Sequence, residues 1–230
     1  MPNLLTIDTS SASCAVAVLV NGVFTGRTLA NARHSAQSVL PLIAEILKEA
    51  KMDLARIEAI AVMAGPGSFT GIRIGIGVAQ GLSMANATPV LPISNLAVKA
   101  YSALKATGEN QVLVSEMARD DEVYFACYRR SDTLGVELIG TEQVAIPADI
   151  ILEPSVPKQG GRWLTAGNGW NAAEEIEARL QIQLQMPAVD PEFNLHDLCD
   201  LAELRYLQGL AVSAEQALPN YVKETMHYSR

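Results

Sequence analysis

The architecture of this chain follows from residues 57–82, which read IEAIAVMAGPGSFTGIRIGIGVAQGL. The first eight of these residues are mostly apolar and predict a buried strand over 57–64. Gly65, Pro66 and Gly67 then break the strand, and the apolar residues after them predict a helix over 68–85. A strand, a glycine turn and a helix start bring backbone N–H groups together, which is an arrangement that suits an anion.

The glycine turn does not carry a known nucleotide-binding signature. No Lys follows Gly71, which excludes a Walker loop, and Thr70 stands where GxGxxG requires a glycine. Asp8 ends the first predicted strand and precedes two hydroxyl residues, so it would either hold a metal-bound phosphate or close a turn. The sequence therefore predicts at most a vestigial nucleotide or anion site, made of Asp8, Thr9, Ser10, Gly65, Gly67, Ser68 and Thr70.

The helix predicted over 68–85 keeps glycine at positions 71, 75, 77 and 81. Each interior glycine costs about 1 kcal/mol relative to alanine, so close approach of another backbone or helix must offset the cost. We therefore predict core packing together with a protein–protein face, to which the preceding amphipathic helix contributes. The predicted partner interface consists of Val39, Ile43, Ile46, Phe69, Ile72, Arg73, Gly75, Ile76 and Gly77.

The flanking sequence predicts an α/β chain with an internal duplication. Through residue 107 the predicted order is β-β-β-α-β-α-β-α, and the three N-terminal strands are antiparallel with an Asn21-Gly22 hairpin turn. The second half opens with strands at 111–115 and 123–129 and ends with a helix over 196–208. We place the boundary between the two related halves near Gly108 and interpret residues 217–230 as a tail.

Composition and charge exclude several classes of protein. The 230 residues are 49% hydrophobic and 18% charged, as in ordinary globular domains, and no apolar run is long enough to cross a bilayer. The net charge is −8 and most of it lies in residues 141–216, so the chain alone is expected to bind nucleic acid poorly. Three scattered cysteines, no His-x-x-x-His pair and no signal peptide favour a cytoplasmic protein without a metal or other cofactor.

Several motifs together resemble the TsaB family, also called YeaZ-like, of bacterial tRNA threonylcarbamoyladenosine biosynthesis proteins. They are LTIDTS at 5–10, His34-Ser35, GPGSFTGIRIGIGVAQGL at 65–82 and Glu122-Val123-Tyr124, with weaker similarity at GNGW 167–170 and PNY 219–221. The glycine motif is highly specific, whereas the other pieces alone would be weak. The chain departs from the family pattern at Met117, where an Asp is usual, and at Val222-Lys223, where Leu-Arg is usual.

The resemblance implies an actin-like ATPase fold (ASKHA, ribonuclease H-like) of two related lobes with mixed sheets flanked by helices. The first lobe would span 1–107 and a second, degenerate lobe 108–230, with the C-terminal helix packing back on the first. It also implies a non-catalytic subunit that binds and activates a catalytic paralogue, TsaD, together with the ATPase TsaE. That assembly forms N6-threonylcarbamoyladenosine at position 37 of tRNA. The chain would form a homodimer when alone and would meet tRNA only through the complex.

The residues leave a second interpretation open. An autonomous actin-fold enzyme, an ATP-dependent small-molecule kinase or hydrolase, would use Asp8 and the turn at 65–71 on ATP. ATP hydrolysis by the purified chain would favour this enzyme, and inertness until a partner is added would favour the accessory subunit.

Overall fold

The computed structural model describes residues 1–30, 35–152, 161–187 and 193–222. The chain forms two compact units. The first contains Met1–Val98, Thr133–Gly135 and Asn194–Asn220, and the second contains Lys99–Asp132, Val136–Phe193 and Tyr221–Arg230. His34 and Lys223, which belong to the motifs quoted above, lie outside the described residues. The division at residues 107 and 108 stays a prediction.

The first unit is built on a mixed five-stranded sheet in the order β3-β2-β1-β4-β5. Strand β1 pairs parallel with β4 and antiparallel with β2, and β4 pairs parallel with β5. Its strands are β1 (Leu4–Asp8), β2 (Cys14–Val20), β3 (Val23–Leu29), β4 (Ala59–Gly65) and β5 (Val90–Ser94). Its helices are α1 (Ser35–Glu49), α2 (Phe69–Asn86), the first turn of α3 (Asn95–Thr107) and α5 (Leu195–Leu207).

The second sheet repeats this topology. Its order is β10-β9-β6-β7-β8, in which the central strand β6 pairs antiparallel with β7 and parallel with β9. The strands are β6 (Gln111–Met117), β7 (Val123–Ser131), β8 (Gly135–Ala145), β9 (Arg162–Ala166) and β10 (Gln183–Gln185), and α4 (Ala173–Leu180) follows β9. The predicted α/β fold of two related lobes with mixed sheets is confirmed.

Both faces of the first sheet are covered, which explains why β1 and β4 are buried along their whole length. Leu5 and Ile7 project into one core cluster with the apolar residues of α1 and α2. Thr6 projects to the opposite face, where its Oγ1 lies 3.3 Å from Sγ of Cys199 in α5. Successive side chains of a strand alternate between faces, so β1 carries two layers of core.

The structure corrects the sequence interpretation at two places. Strand β10 was not predicted, because three residues with two glutamines give no apolar pattern. Residues 217–220 are not a tail, since Asn220 N–H donates to the Ala64 carbonyl at 2.8 Å and Ala217 is buried in the core. Among the described residues, no helix is long and apolar enough to span a membrane.

Candidate functional site

The glycine turn after β4 lies directly against the end of β1. Ser68 N–H donates to the Ser10 carbonyl at 2.7 Å, and a Cβ at Gly67 would lie only 2.7 Å from that same oxygen. Ser68 is also the N-cap of α2, because its Oγ accepts from Gly71 N–H at 3.2 Å. The fold thus brings Ser10, Gly67 and Ser68 together, and their assignment to an anion site stays a prediction.

Contact with Thr9 requires glycine at two of the four glycine positions of α2. A Cβ at Gly71 would lie 1.9 Å from the Thr9 carbonyl oxygen, and a Cβ at Gly75 would lie 2.6 Å from Thr9 Oγ1. The Thr9 hydroxyl donates to the Gly71 carbonyl at 2.7 Å. Only residues without a side chain let α2 approach the end of β1 this closely.

Asp8 accepts hydrogen bonds from the turn that follows it. Its Oδ1 accepts from Ser10 N–H at 2.8 Å and from Ser10 Oγ at 2.6 Å, and the residue is 3% exposed. Burial raises the pKa of Asp8 above its ordinary value of 3.8, while the two hydrogen bonds from Ser10 oppose that shift. Asp8 therefore closes the β1–β2 turn, which is one of the two roles that the sequence left open.

Asn95 completes this hydrogen-bond network and was missed by the sequence analysis. Its Nδ2 donates to Ser10 Oγ at 2.6 Å, and its Oδ1 accepts from Gly65 N–H at 3.0 Å. Asn95 starts α3 directly after the parallel strand β5. Its position in the sequence could have indicated this role, because polar residues at the carboxyl ends of neighbouring parallel strands meet at one edge of the sheet.

The arrangement restricts what this region can do chemically. The N–H groups of Ser68 and Gly71, which would face an anion, already donate within the protein. Thr70 lies on the exposed surface. In the described part of the chain no three His, Cys, Asp or Glu residues are grouped to hold a metal ion. Burial raises the pKa of the Cys127 and Cys199 thiols to about 12, so neither is a thiolate near neutral pH.

A glycine turn also follows strand β9 in the second unit, beside the end of β6. Gly169 N–H donates to the Ser115 carbonyl at 2.8 Å, and a Cβ at Gly167 would lie 2.2 Å from that oxygen, as Gly67 would from the Ser10 oxygen. The last residue of β6 is Met117, which is exposed, whereas the last residue of β1 is the buried Asp8. An acid still lies at this turn, because a Cβ at Gly167 would lie 2.9 Å from Oε1 of Glu116.

The residues predicted for a partner interface divide into two groups. Six of them are buried in the first unit: Val39, Ile43, Ile46, Ile72, Gly75 and Ile76. Phe69, Arg73 and Gly77 lie on the exposed side of α2, where the Arg73 guanidinium lies 3.2 Å from the centroid of the Phe69 ring. The six buried residues pack in the core of the first unit, and their assignment to an interface stays a prediction.

The exposed side of α2 carries little charge, and it has large apolar side chains at its ends with glycines between them. A Cβ at Gly77 or Gly81 would meet no atom within 4 Å, so both glycines face open space. Phe69 is 57% exposed at one end and Met84 is 73% exposed at the other, and Arg73 is the only charged residue of α2. We call this surface the α2 face and define it by Phe69, Arg73, Gly77, Gly81 and Met84.

Comparisons with known sequences match proteins named for tRNA threonylcarbamoyladenosine formation. The family model described as "TsaD: tRNA N6-adenosine threonylcarbamoyltransferase" matches residues 28–228. The tRNA threonylcarbamoyladenosine biosynthesis protein TsaB of Escherichia coli K12 is 32% identical over 232 residues, which are 99% of this chain and 97% of that protein. The Haemophilus influenzae TsaB is 32% identical over 237 residues, 99% of this chain and 96% of that protein.

Solved structures give the same result. YeaZ from Pseudomonas aeruginosa is 37% identical, with a TM-score of 0.78 over 96% of this chain and 100% of that chain. A second Pseudomonas aeruginosa structure, described as similar to the peptidase YeaZ, has a TM-score of 0.80 at 37% identity and covers 97% and 100%. The chain therefore belongs to the TsaB (YeaZ-like) family, whose named members serve tRNA threonylcarbamoyladenosine biosynthesis.

Proposed function

We propose that this chain is a non-catalytic cytoplasmic subunit that docks on a TsaD-like catalytic paralogue and, with a TsaE-like ATPase, enables N6-threonylcarbamoyladenosine formation at position 37 of tRNA. The observation that carries the proposal is the α2 face. It exposes two large apolar side chains and two open glycines, with one charge along the whole helix. Such a face fits a partner helix at close range, because glycines let backbones approach and exposed apolar residues gain from burial.

The environment of Asp8 supports the non-catalytic part of the proposal. A carboxylate that positions a metal-bound phosphate must present its oxygens to the ligand. Here Oδ1 of Asp8 accepts two hydrogen bonds from Ser10, and Asn95 holds Ser10 from the other side. In the second unit the last residue of the matching strand β6 is Met117, a thioether that is not a carboxylate. These contacts favour an accessory subunit over the autonomous ATP-dependent kinase or hydrolase.

A reconstitution in which each component is omitted in turn tests this function. The chain is combined with the TsaD-like and TsaE-like proteins, tRNA, ATP and an activated threonylcarbamoyl donor, the adenylate, which releases AMP on transfer; the modified nucleoside is quantified after digestion. We expect modification only when the chain is present, and no ATP hydrolysis by the chain alone. Modification at full rate without the chain, or ATP turnover by the isolated chain, would contradict the proposal.

A further inference from the structure

The sequence contains two Asn-Gly pairs, Asn21-Gly22 and Asn168-Gly169, which lie in contrasting surroundings. An asparagine followed by glycine is prone to spontaneous deamidation, because glycine has no side chain to hinder attack by its own backbone nitrogen. The attack requires a free asparagine side chain, a backbone N–H that is not held elsewhere, and room for a ring to close. The two pairs differ in all three conditions.

Asn21 and Gly22 form the tip of the hairpin between β2 and β3. Val20 pairs with Val23, so the loop has two residues. The φ angle is +50° at Asn21 and +78° at Gly22, as a type I′ turn requires. Both residues are exposed, and in the described part of the chain no hydrogen bond involves the Asn21 side chain or the Gly22 N–H. Only atoms of the exposed Met1 side chain would lie within 4 Å of a Cβ at Gly22.

The position of this turn in the sheet lets it open at low cost. Ring closure moves the Gly22 nitrogen toward Cγ of Asn21, so the turn must open briefly. Strand β3 is at the edge of its sheet, and most of its side chains are exposed. Local opening costs least where few buried contacts are lost. The reactive atoms of Asn21-Gly22 can therefore meet while the rest of the first unit stays folded.

Asn168 and Gly169 are held at both groups that would react. Asn168 Oδ1 accepts from the Met117 N–H at 2.8 Å. Gly169 N–H donates to the Ser115 carbonyl at 2.8 Å. Gly169 is also buried, and a Cβ there would lie 2.5 Å from Ser115 Oγ and 3.0 Å from the Glu116 nitrogen. Ring closure would break both hydrogen bonds in a crowded place, so the fold protects this pair.

We propose that Asn21 is a modification site at which the folded chain deamidates, whereas Asn168 stays intact. Hydroxide removes the Gly22 N–H proton, and the nitrogen forms a bond to Cγ of Asn21. The bond from Cγ to Nδ2 breaks, and Nδ2 leaves as ammonia with a proton from water. A second water opens the succinimide ring on one side to give aspartate, or on the other to give isoaspartate, whose backbone runs through the side chain. The proposal is independent of the function proposed above.

The two products differ in their effect on the hairpin. Aspartate leaves the backbone unchanged and is accepted in a type I′ turn before glycine. Isoaspartate adds a methylene group to the backbone, so the loop no longer fits the two-residue connection between Val20 and Val23. Because turn geometry fixes the register of a hairpin, the pairing of β2 with β3 then frays from the tip.

Peptide mapping of the full folded chain after incubation at mildly alkaline pH tests the site. Each deamidation adds the mass of water and removes that of ammonia, and chromatography separates the aspartyl and isoaspartyl peptides. We expect Asn21 to deamidate at least about tenfold faster than Asn168, because reaction at Asn168 must first break two hydrogen bonds. In denaturant the fold protects neither pair, so the two rates should agree within about threefold.

The variant N21G is the matched control, because Gly-Gly also forms type I′ turns and cannot deamidate. After incubation, the isoaspartyl fraction of the wild type should exchange amide hydrogens faster at the hairpin tip than the fresh chain, whereas incubated N21G should match fresh N21G. Equal rates at Asn21 and Asn168 in the folded chain, or a difference that persists unchanged in denaturant, would overturn the proposal. Unchanged exchange in the isoaspartyl fraction would contradict the fraying of the hairpin.

Discussion

Asp8 combines a buried carboxylate with hydrogen bonds from a single neighbour, Ser10. Its pKa is raised by burial in the folded protein, so over the pH range between 3.8 and the raised value the folded chain keeps a proton that the unfolded chain has lost. The free energy of unfolding contributed by this group is therefore fully present below pH 3.8 and falls as the pH rises through the folded pKa.

Asp8→Asn removes this pH dependence, and its amide oxygen still accepts from Ser10. We expect the variant to be more stable than the wild type at neutral pH, with the difference vanishing toward pH 3.8. Denaturant titrations at several pH values measure the effect, and Asp53→Asn, an exposed Asp, is the control. The variant should support tRNA modification within several-fold; lost modification with intact folding and partner binding would return Asp8 to a catalytic role.

The glycines of α2 give opposite predictions for the same substitution. Gly77→Ala should stabilise the chain by about 1 kcal/mol, because the site is an open helix interior. Gly71→Ala should destabilise it by more than about 3 kcal/mol, because the Cβ would lie 1.9 Å from a backbone oxygen that cannot rotate away. Thermal and denaturant unfolding compare the two variants. A Gly71→Ala variant as stable as Gly77→Ala would contradict the packing against Thr9.

At the scale of elements, the sequence predicted strands and helices well and the exposed side of α2 poorly. Apolar periodicity located α1, β4 and α2 within a few residues. Helix α2 is apolar on nearly every side, so its pattern did not reveal which glycines face Thr9 and which face open space. Val39 and Ile46 of α1 lie in the core cluster of the first unit. Their assignment to an interface stays a prediction, because a pattern of apolar residues does not distinguish burial in the core from burial against a partner.

No local sequence pattern could predict the position of the C-terminal segment, residues 213–220, beside α2. Its position depends on Gln80, which is 134 residues away from Ala214 along the chain. We expect Gln80→Ala to lower the free energy of unfolding by about 1–3 kcal/mol, because two backbone carbonyls lose their donor. Hydrogen exchange should rise at Ala217 and Asn220. Gln37→Ala, an exposed glutamine of α1, is the control, and equal effects of the two variants would contradict the role of Gln80.

At the scale of the whole molecule, charge argues against direct contact with tRNA. The chain has 25 acidic and 17 basic residues, and tight binding to nucleic acid requires clustered Lys and Arg against phosphate. We expect the isolated chain to bind tRNA weakly or not at all in a filter assay at about 150 mM salt. Nanomolar binding under these conditions would show that the chain carries its own tRNA site.

The fold of the whole chain was predictable because duplication repeats one strand order in both sheets. The anion site at Asp8 and the glycine turn stays a prediction. The sequence did not show the hydrogen bond that Ser10 accepts from Asn95, because Asn95 lies 85 residues further along the chain. Sequence patterns identify which polar residues meet at a sheet edge. They do not show whether those residues bind one another or a ligand.

Association with the TsaD-like paralogue tests the central claim most directly. Sedimentation velocity compares the wild type with Gly77→Leu, which adds an isobutyl group to the α2 face, and with Ala106→Leu, which adds bulk to an exposed helix position in the second unit. We expect Gly77→Leu to weaken the complex by about 1–3 kcal/mol, roughly 5- to 150-fold, without lowering the unfolding temperature. Wild-type affinity for Gly77→Leu, or equal loss for Ala106→Leu, would contradict docking through the α2 face.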